Sequence, residues 1–116
     1  PAALQLGVDI AADGTADPKG SATVHGTVTC TQPVDVSVAG EVTQVVKGAT
    51  VTGPYSTSVP CEPGRAVAWT ASPTPTGDTP FGRGGATVRA QAFTQDPNYG
   101  GTVAVERTAT VQLARP

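Results

Sequence analysis

Two cysteines and a single histidine carry the most reactive side chains of this 116-residue chain. No histidine or further cysteine stands in a metal-ligand pattern with Cys30 or Cys61, so the pair predicts one disulfide. A disulfide indicates folding in an oxidising compartment. His25 alternates with threonines, which favours the outer face of a strand over a catalytic cleft. We therefore expect a structural or exposed histidine rather than part of a Ser-His-Asp or Cys-His unit.

Three aspartates, Asp9, Asp13 and Asp17, are weak candidates for calcium ligands, because acidic turns supply oxygen atoms to hard cations. Their spacing departs from the D-x-[DN]-x-[DN]-G loop, and no glutamate closes it. The dipeptide Asp13-Gly14 is also a good hairpin turn, which explains the segment more simply. The nine acidic residues form no close pair for acid–base chemistry. We therefore predict no enzyme activity, no cofactor and no firm metal site.

Five aromatic residues could in principle form a sugar-stacking platform. Trp69 alternates with Val67 and Ala71, so we expect it in the core. Phe93 lies on the strand face opposite the apolar one. The remaining rings lie in or beside turns and are freer to bind: Tyr55, Phe81 and Tyr99. Carbohydrate binding is thus an alternative that the sequence favours less than a core role for the tryptophan.

A proline-rich segment, 72–85, is the strongest candidate for a binding site. At about 14 residues it is longer than an ordinary hairpin loop, and loops of that length are usually functional or disordered. Its prolines stiffen it, while the sequence Phe81-Gly82-Arg83 offers a ring and a cation. The candidate binding residues are Phe81, Arg83 and Asp78, with Tyr99 from the turn at 96–101. A solvated connection without function is the alternative.

Apolar residues alternate with polar ones at a period of two, which predicts strands and no helix. Strands are expected over 4–10, 22–30, 34–42, 67–71, 86–92 and, as one strand or a pair, 103–113. The segment 12–20 is expected to be a turn. The segment 45–59 is expected to form two short strands broken at Gly53-Pro54, at a sheet edge where proline is tolerated. Gly40 indicates a bulge or a close approach of backbone.

Length and composition suit one domain over residues 1–116. Seven or eight short strands with turn residues between them predict an antiparallel β-sandwich. The net charge of −2 and the scattered basic residues argue against nucleic acid. No apolar run approaches the ~20 residues of a membrane span. The start at Pro1-Ala2-Ala3 suits removal of a signal peptide, although an excised domain would look the same.

The segments Gly-Thr-Val-Thr-Cys (26–30) and Val-Pro-Cys (59–61), with Trp69 after them, resemble small secreted actinobacterial proteins with an immunoglobulin-like sandwich. In antibody domains the tryptophan lies between the two cysteines, whereas Trp69 follows both. The enediyne-carrier apoproteins and the subtilisin-inhibitor family are similar in size. They typically carry two disulfides, so their site residues are not transferred to this chain.

Together these features predict a non-catalytic extracellular or cell-surface module, either structural or binding. Its partner would be another protein or a second copy of itself in an assembly. The alternative is a secreted ligand- or protease-binding protein that acts through the 72–85 loop. The disulfide is expected to tie the region 45–60 to a central strand that ends at Cys30.

Overall fold

The computed structural model describes residues 4–96 and 100–114. The regular secondary structure of these residues consists of β-strands, with no helix among them. The all-β prediction is therefore confirmed. The eight strands of the described residues are β1 (Leu6–Ile10), β2 (Asp13–Ala16), β3 (Ala22–Cys30), β4 (Val34–Val46), β5 (Ala49–Cys61), β6 (Val67–Ala71), β7 (Gly84–Gln95) and β8 (Thr102–Ala114).

Strand pairing connects all eight strands in one sheet, in the order β1-β3-β2-β8-β7-β4-β5, with β6 also paired to β3. Every pair is antiparallel except β2 with β8, which run parallel. The strand β2 joins β3 only through Thr15 opposite Thr23 and Ala16 opposite Ala22. It is a narrow bridge between a three-stranded part (β1, β3, β6) and a four-stranded part (β8, β7, β4, β5).

Alternate side chains of the strands form the buried core, as their period of two requires. On β7 the buried residues are Ala86, Val88, Ala90 and Ala92. On β3 they are Ala22, Val24, Gly26, Val28 and Cys30. Valine and alanine dominate this core, so its volume depends on a few larger side chains.

Two of those larger side chains lie over glycines in the neighbouring strand. Trp69 of β6 is paired with Gly26 of β3, and Tyr55 of β5 is paired with Gly40 of β4. A glycine inside a strand often marks such a close approach. The Tyr55 hydroxyl passes over Gly40 and donates a 2.7 Å hydrogen bond to the carbonyl oxygen of Arg89 on β7. The register of β4 and β5 is continuous through Gly40, so the expected close approach is present without a bulge.

The rings of Tyr55 and Trp69 stack on each other, with centroids 5.9 Å apart and planes inclined by 8°. Their strands, β5 and β6, are not paired, so this contact links two separate parts of the sheet. Trp69 is 1% exposed, and its indole N–H has no acceptor among the residues that the structure describes. Packing, rather than hydrogen bonding, therefore holds the indole in place.

The predicted disulfide between Cys30 and Cys61 is confirmed. It joins the last residue of β3 to the last residue of β5, with Cα atoms 6.3 Å apart. Both cysteines are buried. The bond and the Trp69–Tyr55 stack thus connect the same two parts of the sheet at different points along β5.

The prediction of two short strands in 45–59 is wrong, because β5 runs unbroken from Ala49 to Cys61 through Gly53 and Pro54. Its position at the end of the strand order agrees with the edge location that was expected. Because β5 pairs only with β4, its prolines, Pro54 and Pro60, cost no second ladder of hydrogen bonds.

The turn between β4 and β5 consists of Lys47 and Gly48, both with positive φ (50° and 82°). That is the backbone of the tight two-residue turns that suit twisted hairpins.

One further boundary differs from the sequence prediction. Residues Asp13 and Gly14 belong to β2 and not to a hairpin turn, while 17–20 is a turn as expected. A Cβ atom on Gly14 would lie 2.6 Å from the carbonyl oxygen of Thr23, so this glycine allows two strands to approach. The last segment, expected as one strand or a pair, is the single strand β8.

We predict that Gly26→Ala lowers the free energy of unfolding by about 1–3 kcal/mol, because overpacking forces the backbone to move. The new Cβ would collide with the carbonyl oxygen of Asp9 and lie 2.9 Å from the Trp69 ring. Gly77→Ala is the matched control, since nothing lies near that position and the change should stay within about 0.5 kcal/mol. Urea unfolding measures both. Equal stability of the two variants would contradict the seating of Trp69 on Gly26.

We also predict a loss of stability at high pH that depends on Tyr55. Burial raises the pKa of Tyr55 from 10.0 to about 12. The neutral phenol is therefore favoured in the fold, so its contribution is complete below pH 10 and disappears as the pH rises through about 12. A Tyr99→Phe background isolates its tyrosinate absorbance, whose midpoint should lie near 12. A midpoint near 10 would mean that the Tyr55 hydroxyl is solvated, and Tyr55→Phe should abolish the alkaline loss.

Candidate functional site

The loop between β6 and β7 covers residues 72–83, because Gly84 and Gly85 of the predicted 72–85 segment belong to β7. Backbone hydrogen bonds connect this loop to the rest of the chain at several points. Ala22 donates to the carbonyl of Pro73, at 3.0 Å, and the Phe81 N–H donates to the carbonyl of Gly20, at 3.1 Å. The Thr76 N–H and hydroxyl both donate to the carbonyl of Thr52, at 2.9 and 3.1 Å. The 72–83 loop is therefore held against both the 17–20 turn and β5.

Phe81 anchors this loop, and the expectation that its ring is free to bind is wrong. The side chain is 4% exposed and lies over Gly53 of β5, where a Cβ atom would come within 2.9 Å of the ring. The ring is buried although it lies in a loop, because burying a phenylalanine side chain gains about 1.5–3 kcal/mol over leaving it exposed. Tyr55 and Trp69 are buried as well, so these three rings are not available to a sugar.

Gln44 is a second anchor that sequence patterns missed. It occupies an inward position of β4 and is 3% exposed. Its amide nitrogen donates to the carbonyl of Gly82 and its amide oxygen accepts the Gly82 N–H, both at 2.9 Å. One glutamine side chain thus satisfies both backbone groups of a loop residue. A polar residue among the alternating valines of 34–46 is the signal that could have found it.

Two charged side chains of the loop, Asp78 and Arg83, remain exposed. Neither forms an ion pair among the residues that the structure describes. Tyr99, the fourth predicted binding residue, lies outside the described residues. The loop therefore presents one acidic and one basic group on a backbone that its neighbours fix.

A cleft of about 430 Å³ opens beside Arg83 where the loop meets the 17–20 turn. Its lining residues are Ala16, Asp17, Pro18, Pro80, Phe81, Gly82 and Arg83. A smaller cleft of about 160 Å³ lies at the loop tip, between β5 and Asp78. Both clefts are open: the larger one combines two prolines with Asp17 and Arg83, and the smaller one combines threonine hydroxyls with Asp78. Such open, partly polar clefts suit contact with a side chain or peptide segment better than enclosure of a small molecule.

The side chains of the three weak calcium candidates each contact a different residue of the chain. The Asp9 carboxylate lies 3.4 Å from the guanidinium of Arg107, and Asp13 lies 3.8 Å from the imidazole of His25. Asp17 accepts the backbone N–H of Lys19 at 2.7 Å, as in an ordinary turn. Within residues 4–96 and 100–114, no three acidic, histidine or cysteine side chains are grouped as metal ligands.

The opposite end of the molecule contains a buried acidic residue that the sequence analysis did not single out. Asp96 is 6% exposed, and its carboxylate accepts the backbone N–H of Leu4 at 3.1 Å. The side chain thus fixes the chain before β1 against the end of β7. Phe93 lies nearby on the outer face, half-buried and opposite Ser37 and Ala104.

Comparison of the chain with protein-family models, with curated proteins and with solved structures found no match. The described residues contain no helix with the length and apolar character to cross a membrane.

We predict that Gln44→Ala loosens the 72–83 loop. The variant leaves the N–H and carbonyl of Gly82 without their partner, which should lower the free energy of unfolding by about 1–3 kcal/mol. Hydrogen exchange at Gly82 and its neighbours should become faster. Gln91→Ala is the control, since Gln91 is exposed on the outer face of β7. If the amides of the loop exchange equally slowly in both variants, Gln44 does not hold the loop.

Proposed function

We propose that this chain is a non-catalytic extracellular module that binds another protein through the 72–83 loop. The observation that carries the proposal is the combination of a fixed backbone and free charges in that loop. Phe81 and Gln44 hold it from the core side, while Asp78 and Arg83 face solvent. A loop that is ordered before binding loses less conformational entropy on association.

The charges of the loop suggest the character of the partner surface. The loop has one acidic and one basic group on a short segment. A complementary partner surface would place a basic group opposite the acidic one and an acidic group opposite the basic one. Such exposed charges mainly set the rate and specificity of association. The cleft beside Arg83 would take a side chain of the partner, with Pro18 and Pro80 as its apolar wall.

We further propose that the folded sheet is an immunoglobulin-like sandwich. What supports this is that β1, β3 and β6 form one set of strands, while β8, β7, β4 and β5 form another. The disulfide and the Trp69–Tyr55 stack both connect these sets. The disulfide ends on β5, an edge strand, so the bonded pair differs from the arrangement of antibody domains.

The disulfide also supports a place outside the cell or on its surface, in a secreted protein of the actinobacterial type that the sequence resembles. The non-catalytic part of the proposal has two supports. The disulfide occupies both thiols, and the His25 side chain is 45% exposed on a strand face rather than enclosed in a site that excludes water.

The test is a double variant, Asp78→Ala with Arg83→Ala, in affinity capture from the secreted and cell-wall proteins of the source organism. We expect binding of the captured partner to weaken at least about 10-fold, which corresponds to about 1.4 kcal/mol. The matched control is Glu62→Ala with Arg65→Ala, because these two side chains form an exposed 3.6 Å ion pair before β6. Both variants remove one acid and one arginine. Equal capture by both would contradict a role of the 72–83 loop.

A further inference from the structure

The strand β8 has a long free edge. It pairs with β7 over nearly its whole length, from Thr102 to Leu113. On its other side it meets β2 only at residues 112–114. The backbone of residues 102–111 therefore has no strand beside it on that side within the part of the chain that the structure describes.

The hydrogen-bonding groups at this edge can be identified from one contact. Gln112 donates its N–H to the carbonyl of Ala12, at 2.9 Å, on the side that faces β2. In an antiparallel strand the N–H and C=O groups of successive residues point to alternate sides. The even-numbered residues from 102 to 110 therefore direct their N–H and C=O groups to the free edge. The N–H and C=O groups of the odd-numbered residues form hydrogen bonds with β7.

The other edges are less suited to pairing. The β5 edge contains Pro54 and Pro60, which lack the N–H that an added strand would need. The edge strands β1 and β6 have only five residues each. Residues 102–111 contain no proline and are rich in valine and threonine. Among the described residues, β8 thus offers the long edge without these blocking features.

The inward side chains next to this edge are incompletely covered. Val103, Val105 and Ala109 are half-buried, whereas Val88 and Ala92 on β7 are fully buried. An added strand would extend the sheet and remove part of this valine surface from water.

Charges in the middle of an edge strand usually discourage pairing. Here both charges are drawn to neighbours within the same molecule. Glu106 lies 3.1 Å from the guanidinium of Arg89 on β7, and Arg107 lies 3.4 Å from Asp9 on β1. Each charge thus has an oppositely charged neighbour in the same molecule, but two copies of the same charge set directly opposite each other would still repel.

We infer that a second copy of this chain pairs with β8 through its own β8, antiparallel about a two-fold axis. Such an interface is isologous, so the residue on the axis faces itself. An axis at Glu106 or Arg107 would set like charges directly opposite each other, which destabilises a sheet. An axis at Val105 avoids this.

With the axis at Val105, Ala104 faces Glu106 of the second copy, and Val103 faces Arg107. The even-numbered residues 102, 104, 106 and 108 then all exchange backbone hydrogen bonds across the interface. An axis at Thr108 would use only 106, 108 and 110, because Gln112 is already bonded beside β2. Charge therefore excludes the axes at Glu106 and Arg107, and hydrogen bonding then favours the axis at Val105 over the one at Thr108.

The dimer would place the two binding loops far apart. Because Leu113 of β8 faces Gly84, the residue that follows the 72–83 loop, β8 ends at the loop end of the molecule. Antiparallel pairing points the two loop ends in opposite directions. This inference goes beyond the proposed function and does not depend on it, since self-association is measured without any other partner.

The first test compares Ala104→Pro with Ala104→Ser by sedimentation and light scattering. The proline removes an outward N–H but none that bonds to β7. We expect the wild type and Ala104→Ser to dimerise, and Ala104→Pro to dimerise at least about 10-fold more weakly. Equal unfolding midpoints show that the fold is intact. A wild type that stays monomeric up to about 1 mM, or a dimer that survives Ala104→Pro, overturns the inference.

The second test does not depend on the folding of the proline variant. Val105→Cys places two cysteines across the axis, where Cβ atoms in a paired sheet are about 4.5–5.5 Å apart. It should form a disulfide-linked dimer under mild oxidation. In Thr108→Cys the two new thiols would be roughly 20 Å apart along the strands, so it should not. Cross-linking of Thr108→Cys as fast as Val105→Cys overturns the proposed pairing.

Discussion

The stack of Trp69 on Tyr55 is the contact on which the rest of the structure depends. Strands β5 and β6 share no backbone hydrogen bonds, so the two parts of the sheet meet there only through side chains. Each ring fits because its strand neighbour, Gly26 or Gly40, has no side chain. An aromatic ring buries about 150–250 Å², several times the area of an alanine methyl group. In a core made mostly of valine and alanine, these two rings supply the bulk that keeps the three-stranded and four-stranded parts of the sheet at a fixed spacing.

The 72–83 loop is coupled to this stack through β5. Gly53 and Tyr55 are successive inward positions of that strand, and Phe81 lies over the first while Trp69 lies on the second. The loop position thus follows the position of β5, and β5 is fixed by the stack and by the disulfide at its end. Gln44 adds a polar link from β4 to the loop backbone. The positions of the charged groups of the loop are therefore fixed by contacts with the core, and not by the loop alone.

Local patterns in the sequence were enough to predict the period-two strands, the disulfide between Cys30 and Cys61 and the edge location of β5. They were not enough for features that depend on distant contacts. Gly14 is a residue type typical of turns. In the structure, however, its lack of a side chain allows β2 to lie close to β3. Phe81 and Gln44 look like loop and surface residues until β4 and β5 are placed beside the loop. Local composition predicts the conformation of a segment by itself. The roles of these three residues depend instead on contacts with segments that are distant in the sequence.

The hairpin of β4 and β5 has a consequence for oxidative folding. It lies almost entirely between the two cysteines, and its register sets Cys61 opposite Val34, only four residues after Cys30. A hairpin is a local structure that forms in about 1–10 μs. Once it has formed, the two thiols are already neighbours, so the chain does not need to search for its partner cysteine. Formation of this one hairpin would therefore be enough to bring the two thiols close together, before the other strands of the sheet have paired.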